Sequence, residues 1–114
     1  MTDFNEYDEV KLFPKIIAVD FDGTLVENEF PKIGKIIEST WDKIIAEQKS
    51  GTRIILWTCR TENMLQEAID FCREKGLIFD EVNRNIKEVR DLFGGDTRKV
   101  FANIYLDDRA QQYL

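Results

Sequence analysis

A chain of 114 residues, 43% apolar and 33% charged, has the length for one domain with its own hydrophobic core. Its 22 acidic residues outnumber 16 basic ones, for a net charge of −6, and histidine is absent. Those facts exclude histidine-based catalysis and His-ligated zinc, and they disfavour long nucleic acid as a partner. Two cysteines outside any CxxC pair, no signal-peptide pattern and no apolar run near the ~20 residues of a membrane span predict a reduced, cytoplasmic chain without a membrane partner.

Residues 1–14 read as an acidic leader, with Asp3, Glu6, Asp8 and Glu9 ahead of Pro14; disorder or a loose edge segment is the expectation there, and 15–114 is the folded unit. "KIIAVDF" is a near-continuous apolar run, as in a strand buried on both faces. Gly23 marks a tight turn, and "VENEFPKIG" reads as a loop or small hairpin. Ile37, Trp41, Ile44 and Ile45 share one face of a helix that ends near Gly51. "TRIILWTC" is a second buried strand. The next helix runs through "TENMLQEAIDFCREKG", with Thr61 placed to cap it and Gly76 to end it. "LIFDEVN" is a weaker strand, "IKEVRDLF" a short helix, and "VFANIYLDD" the last strand.

This β-α-β-α-β-α-β alternation predicts an α/β Rossmann-like three-layer sandwich, with a parallel sheet of four or five strands and helices on both faces. Right-handed crossovers then bring every carboxyl strand end to one edge, where open α/β sheets bind ligands. Asp20, Asp22, Thr58, Asp107 and Asp108 therefore meet in space. Like charges so close repel, and they call for a hard cation; magnesium suits oxygen ligands and phosphate oxygens. One carboxylate can serve as nucleophile and a second, two residues on, can move protons. Thr58 supplies a hydroxyl and Lys99 a cation for phosphoryl oxygens.

Each of these residues has a plainer reading. Asp-Gly is a common turn. Asp107-Asp108 alone is a solvated strand end, Thr58 alone a β-former and Lys99 alone a surface lysine with Arg98 beside it. Arg60 reaches either a substrate anion or a surface salt-bridge partner. A cysteine-phosphatase C-x5-R is absent, since Leu65 stands six residues past Cys59; Cys59 reads as packing and Cys72 as helix core. Glu27, Asn28, Phe30 and Pro31 overhang the site or merely cover the core. No GxxxxGK[ST] or GxGxxG is present.

"DFDGTL", "IILWT" and "RKVFANIYLDD" resemble, in order and spacing over residues 15–109, motifs I to IV of the haloacid dehalogenase-like (HAD) phosphohydrolases, in particular small capless bacterial and phage types. The resemblance implies an aspartyl-phosphate on Asp20, with Asp22 as general acid/base and backbone metal ligand, Thr24 orienting Asp22, and Gly23 in the turn. Thr58 would hold the phosphoryl group and Lys99 would neutralise it. Asp107 or Asp108 would complete a magnesium site with Asp20 and Asp22. The short gaps between motifs leave no room for a cap, which implies an open site for a phosphorylated small molecule or phosphoprotein, or one closed by a second copy of the chain. The ending "AQQYL" leaves a usual fifth strand missing or very short. Two rivals are a non-catalytic module binding magnesium, phosphate or a partner, and a receiver-like switch, which the acidic pattern on the first strand argues against.

Overall fold

The computed structural model describes residues 14–108; the leader, apart from Pro14, and the ending "AQQYL" lie outside them. Its centre is β1 (Ile16–Val19), four residues with no meaningful exposure. Alternation sends Ile17 and Val19 to one face and Ile16 and Ala18 to the other, where they join two separate core clusters. A strand buried on both faces must be central, and β1 pairs in parallel with β4 (Arg53–Leu56) and β6 (Ile104–Leu106). Beyond β4 lies β5 (Glu81–Val82), which gives the order β5-β4-β1-β6.

Helices α1 (Glu38–Lys49) and α2 (Glu62–Glu74) cover one face. Trp41, Ile44, Ala68 and Cys72 pack there against Ile17, Val19, Ile54 and Leu56. The edge of Trp41 meets Phe71 at 6.2 Å, and Phe71 in turn meets Phe21 at 6.3 Å. Helix α3 (Lys87–Phe93) covers the other face with Ile86 and Val89, assisted by Val100 and Ala102. The expected three-layer α/β sandwich with four parallel strands is thus what forms, and the described residues include no cap domain.

Between β1 and α1 the chain makes an antiparallel hairpin, β2 (Val26–Glu29) and β3 (Lys32–Ile36), with a bulge between Val26 and Asn28. Gly34 allows the two strands to close: a Cβ there would sit 2.1 Å from the Glu27 carbonyl oxygen. Thr61 occupies the N-cap of α2 but makes no side-chain capping bond, while Gly76, at φ +93°, ends the helix turn as expected.

The last strand is shorter than its sequence suggests. Only Ile104–Leu106 pair, because Val100 and Ala102 turn inward to fill the α3-side core and Asn103 spends its side chain on the Ile16 N–H at 2.7 Å. The Tyr105 hydroxyl also bonds the Val100 carbonyl and receives the Ala102 N–H. Fully buried Asn85 anchors the same loop. It accepts from Phe101 N–H at 2.6 Å and donates to Asp96 and Thr97 at 2.9 and 3.1 Å. Asn85→Ala is expected to lower the unfolding free energy by about 2–4 kcal/mol, since it orphans buried partners as well as losing bonds. Urea unfolding measures this; a change under about 0.5 kcal/mol would mean the loop is held elsewhere.

Candidate active site

Every strand of the parallel sheet delivers a polar residue to its carboxyl end. Asp20 follows β1, Thr58 follows β4 by one residue beyond Trp57, Asn83 follows β5 and Asp107 follows β6. All four line one cavity of about 850 Å³, together with Asp22, Arg60 and Asp108. From β1 the chain first steps outward to β4 and β5, then returns to β6 on the other side of β1. The crevice at such a reversal is where open α/β sheets take ligands.

Asp20, Asp107 and Asp108 each place one carboxylate oxygen within 4.8 Å of the others. Gly23 makes this possible. Its φ of +90° suits glycine, and a Cβ there would stand 2.3 Å from Asp108 Oδ2. Burial pushes the Asp20 carboxyl up to about 6, and the neighbouring carboxylates of Asp107, Asp108 and Asp22 push the same way; the Phe21 N–H bond to Asp20 Oδ1, at 2.8 Å, pulls against them. Three carboxylate oxygens from two strand ends form a hard-oxygen donor set that fits magnesium.

Asp22 stands apart from this cluster. Both its oxygens accept from Arg60: Nε to Oδ2 and Nη2 to Oδ1, each at 2.8 Å. Its side chain is therefore not a member of the metal-ligand set, and the backbone carbonyl is the ligand it has left to offer. Nor does Thr24 orient it. Thr24 Oγ1 is buried and has no hydrogen-bond partner among the described residues; Arg60 does the orienting. Arg60 itself is 1% exposed, so of its two readings the salt bridge forms, with Asp22, but in the interior and not on the surface.

Thr58 is held by a residue that sequence reasoning passed over. Asn83, at φ +55°, accepts from Thr58 N–H at 2.8 Å and donates to the Thr58 carbonyl at 3.0 Å. Its only signal is a polar residue closing a strand, as in the other three. Thr58 Oγ1 accepts the Arg60 N–H at 3.1 Å, so its own proton remains available to a ligand. Cys59 is exposed and lines the cavity instead of packing; Cys72 is core, and burial pushes its thiol up to about 12. Asn28 and Phe30 of the hairpin also line the cavity. Lys99 does not. It is exposed, in the loop pinned to Asn85, and the cation among the cavity-lining residues is Arg60.

A conserved protein coded by a locus of Bacteroides thetaiotaomicron, known from its solved structure, matches this chain with a TM-score of 0.75 and 39% identity, over 86% of this chain and 78% of that one. The chain belongs to the same family as that protein. No protein-family model and no curated protein matches it.

The raised Asp20 carboxyl has a consequence for stability. The folded state binds this proton near pH 6 and the unfolded chain near 3.8, so ionised Asp20 costs nothing below pH ~3.8 and its full cost above pH ~6. Asp20→Asn keeps the Oδ1 acceptor and removes the charge. Without divalent metal it is expected to be more stable than wild type at pH 7.5 by about 1–2 kcal/mol, allowing for solvent screening, and to lose that advantage at pH 4. Melting curves at the two pH values test this, and an advantage independent of pH would refute it. Gly23→Ala should weaken magnesium-induced stabilisation at least ~10-fold in apparent affinity, because the new methyl group displaces Asp108; an unchanged magnesium titration of the melting temperature would show that Asp108 is not a ligand.

Proposed function

We propose that the chain is a magnesium-dependent phosphomonoester hydrolase of the HAD-like type, acting on a small phosphoester or phosphoprotein in a reducing cytoplasm. The observation that carries this reading is the three-carboxylate cluster at the sheet-order reversal, with Asp22 two residues past Asp20 and held outside the cluster. Four carboxylates against one guanidinium would repel a phosphate dianion. Magnesium held by Asp20, Asp107 and Asp108 would offset most of that negative charge and draw charge from the phosphoryl oxygens.

On this reading the chain's own groups divide the work. Asp20 attacks phosphorus through the oxygen not engaged by Phe21 N–H. The bond to the leaving oxygen breaks, and that oxygen takes a proton from Asp22. Water then attacks the aspartyl-phosphate and returns a proton to Asp22, which frees inorganic phosphate and the Asp20 carboxylate. Thr58 donates its hydroxyl proton to a phosphoryl oxygen throughout. Asp107 and Asp108 would hold the metal together with Asp20.

A non-catalytic module is the second reading, and the Arg60 grip on Asp22 favours it, because both oxygens of that carboxylate are already engaged. Hydrolysis of a generic aryl phosphate separates the two. Magnesium-dependent turnover is expected, with Asp20→Asn reducing kcat by at least ~10³-fold. Magnesium-dependent stabilisation without turnover by any preparation would establish the binding module instead.

A further inference from the structure

Arg60 makes more contacts than a substrate-binding arginine can spare. A guanidinium has five N–H donors. Here Nε and one Nη2 proton go to Asp22, and the other Nη2 proton goes to the Lys32 carbonyl at 3.0 Å. Nη1 donates to the Pro31 carbonyl at 3.2 Å and the Met64 carbonyl at 3.4 Å. The rings of Phe21 and Phe30 each lie 5.1 Å from its Cζ. All five donors are committed, the side chain is 1% exposed, and a phosphoryl oxygen would have to break a bond to reach any of them.

We propose that Arg60 is a positioning residue, a staple that sets the Asp22 carboxylate and pins the β2–β3 hairpin to the start of α2 at the cavity mouth, without binding the substrate anion. The claim about Asp22 rests on the phosphatase reading; the claim about the hairpin does not. Four chain segments meet at this one side chain: the Asp22 turn, the hairpin tip at Phe30, Pro31 and Lys32, the first turn of α2 at Met64, and its own loop. That loop is itself held, since the Arg60 N–H is bonded to Thr58 Oγ1. The hairpin contributes Asn28 and Phe30 to the cavity wall, so whatever fixes its tip fixes the opening. The planar fork matters. It matches a carboxylate with two parallel bonds and still has three donors for carbonyls, whereas a lysine offers three donors from one point.

The test uses the full chain with magnesium, an aryl phosphate, and inorganic phosphate as competitive probe. Arg60→Lys is expected to lower kcat at least 30-fold on the order set by a lost positioning contact, while KM and the phosphate inhibition constant move less than about threefold. Hydrogen exchange over residues 26–36 should quicken in the same variant. A phosphate constant that rises tenfold or more with hairpin exchange unchanged would overturn the proposal and make Arg60 an anion ligand. Should Arg60→Lys fail to fold, Asp22→Ala, which leaves Arg60 in place, decides the matter: quicker exchange across the hairpin upholds the staple and unchanged exchange overturns it. If wild type hydrolyses nothing, the phosphatase reading falls, and hairpin exchange in both variants still judges the staple.

Discussion

Three carboxylate oxygens within 4.8 Å of one another repel by about 3 kcal/mol per ionised pair at an effective dielectric near 20. A folded chain tolerates that only if the backbone around it cannot relax. Here β1 supplies the rigidity. Its four residues are buried on both faces and hydrogen-bonded on both sides, and the ladder continues past the strand, with Asp20 N–H bonded to the Leu106 carbonyl at 2.8 Å and Trp57 N–H to the Val19 carbonyl at 2.9 Å. Asp20, the first residue past this strand, is the first to meet solvent. Phe21, fully buried between the two aspartates, ties the same turn to the aromatic chain of Phe71 and Trp41. The repulsion is absorbed by elements whose own packing does not depend on the acidic site.

The two halves of the acidic group are handled differently. Asp20, Asp107 and Asp108 crowd their carboxylates together, and Asp20, which burial also disfavours as an anion, holds its proton more tightly. Asp22 has a bidentate partner in Arg60, whose burial is met by carbonyls and ring faces on the remaining sides. A residue two positions away in sequence thus sits in a different electrostatic environment.

Much of this was legible in the sequence because it is local or periodic. The apolar run before Asp20, the helical spacing of Ile37, Trp41, Ile44 and Ile45, and the glycines at 23 and 76 all act within a few residues. Topology then forces the strand ends together. What the sequence did not disclose depends on distant partners. Arg60 reads as either an anion ligand or half of a surface salt bridge until Pro31, Lys32 and Asp22 are brought around it from some thirty residues away. Lys99 reads as a site cation only if the last strand begins near it. Asn85, Asn103 and the inward turn of Val100 and Ala102 shorten that strand and leave Lys99 outside the cavity. Thr24 fails for the opposite reason: its hydroxyl lies close to Asp22 in sequence, but Asp22 already has a stronger donor.

A site without a cap domain still needs something to define its mouth, and the hairpin is the element in position to do so. Its strands close tightly because Gly34 allows it, and its tip is bonded at the Pro31 and Lys32 carbonyls to a guanidinium that also holds Asp22. Opening the hairpin would therefore break bonds made by the same guanidinium that orients Asp22. An entrance that moved freely would cost the site its geometry each time a ligand entered. Coupling the two through one buried arginine keeps the opening and the carboxylate in register. On the phosphatase reading, selection then falls on what fits past Asn28 and Phe30 into a preformed cleft, and a mobile lid has no part in it.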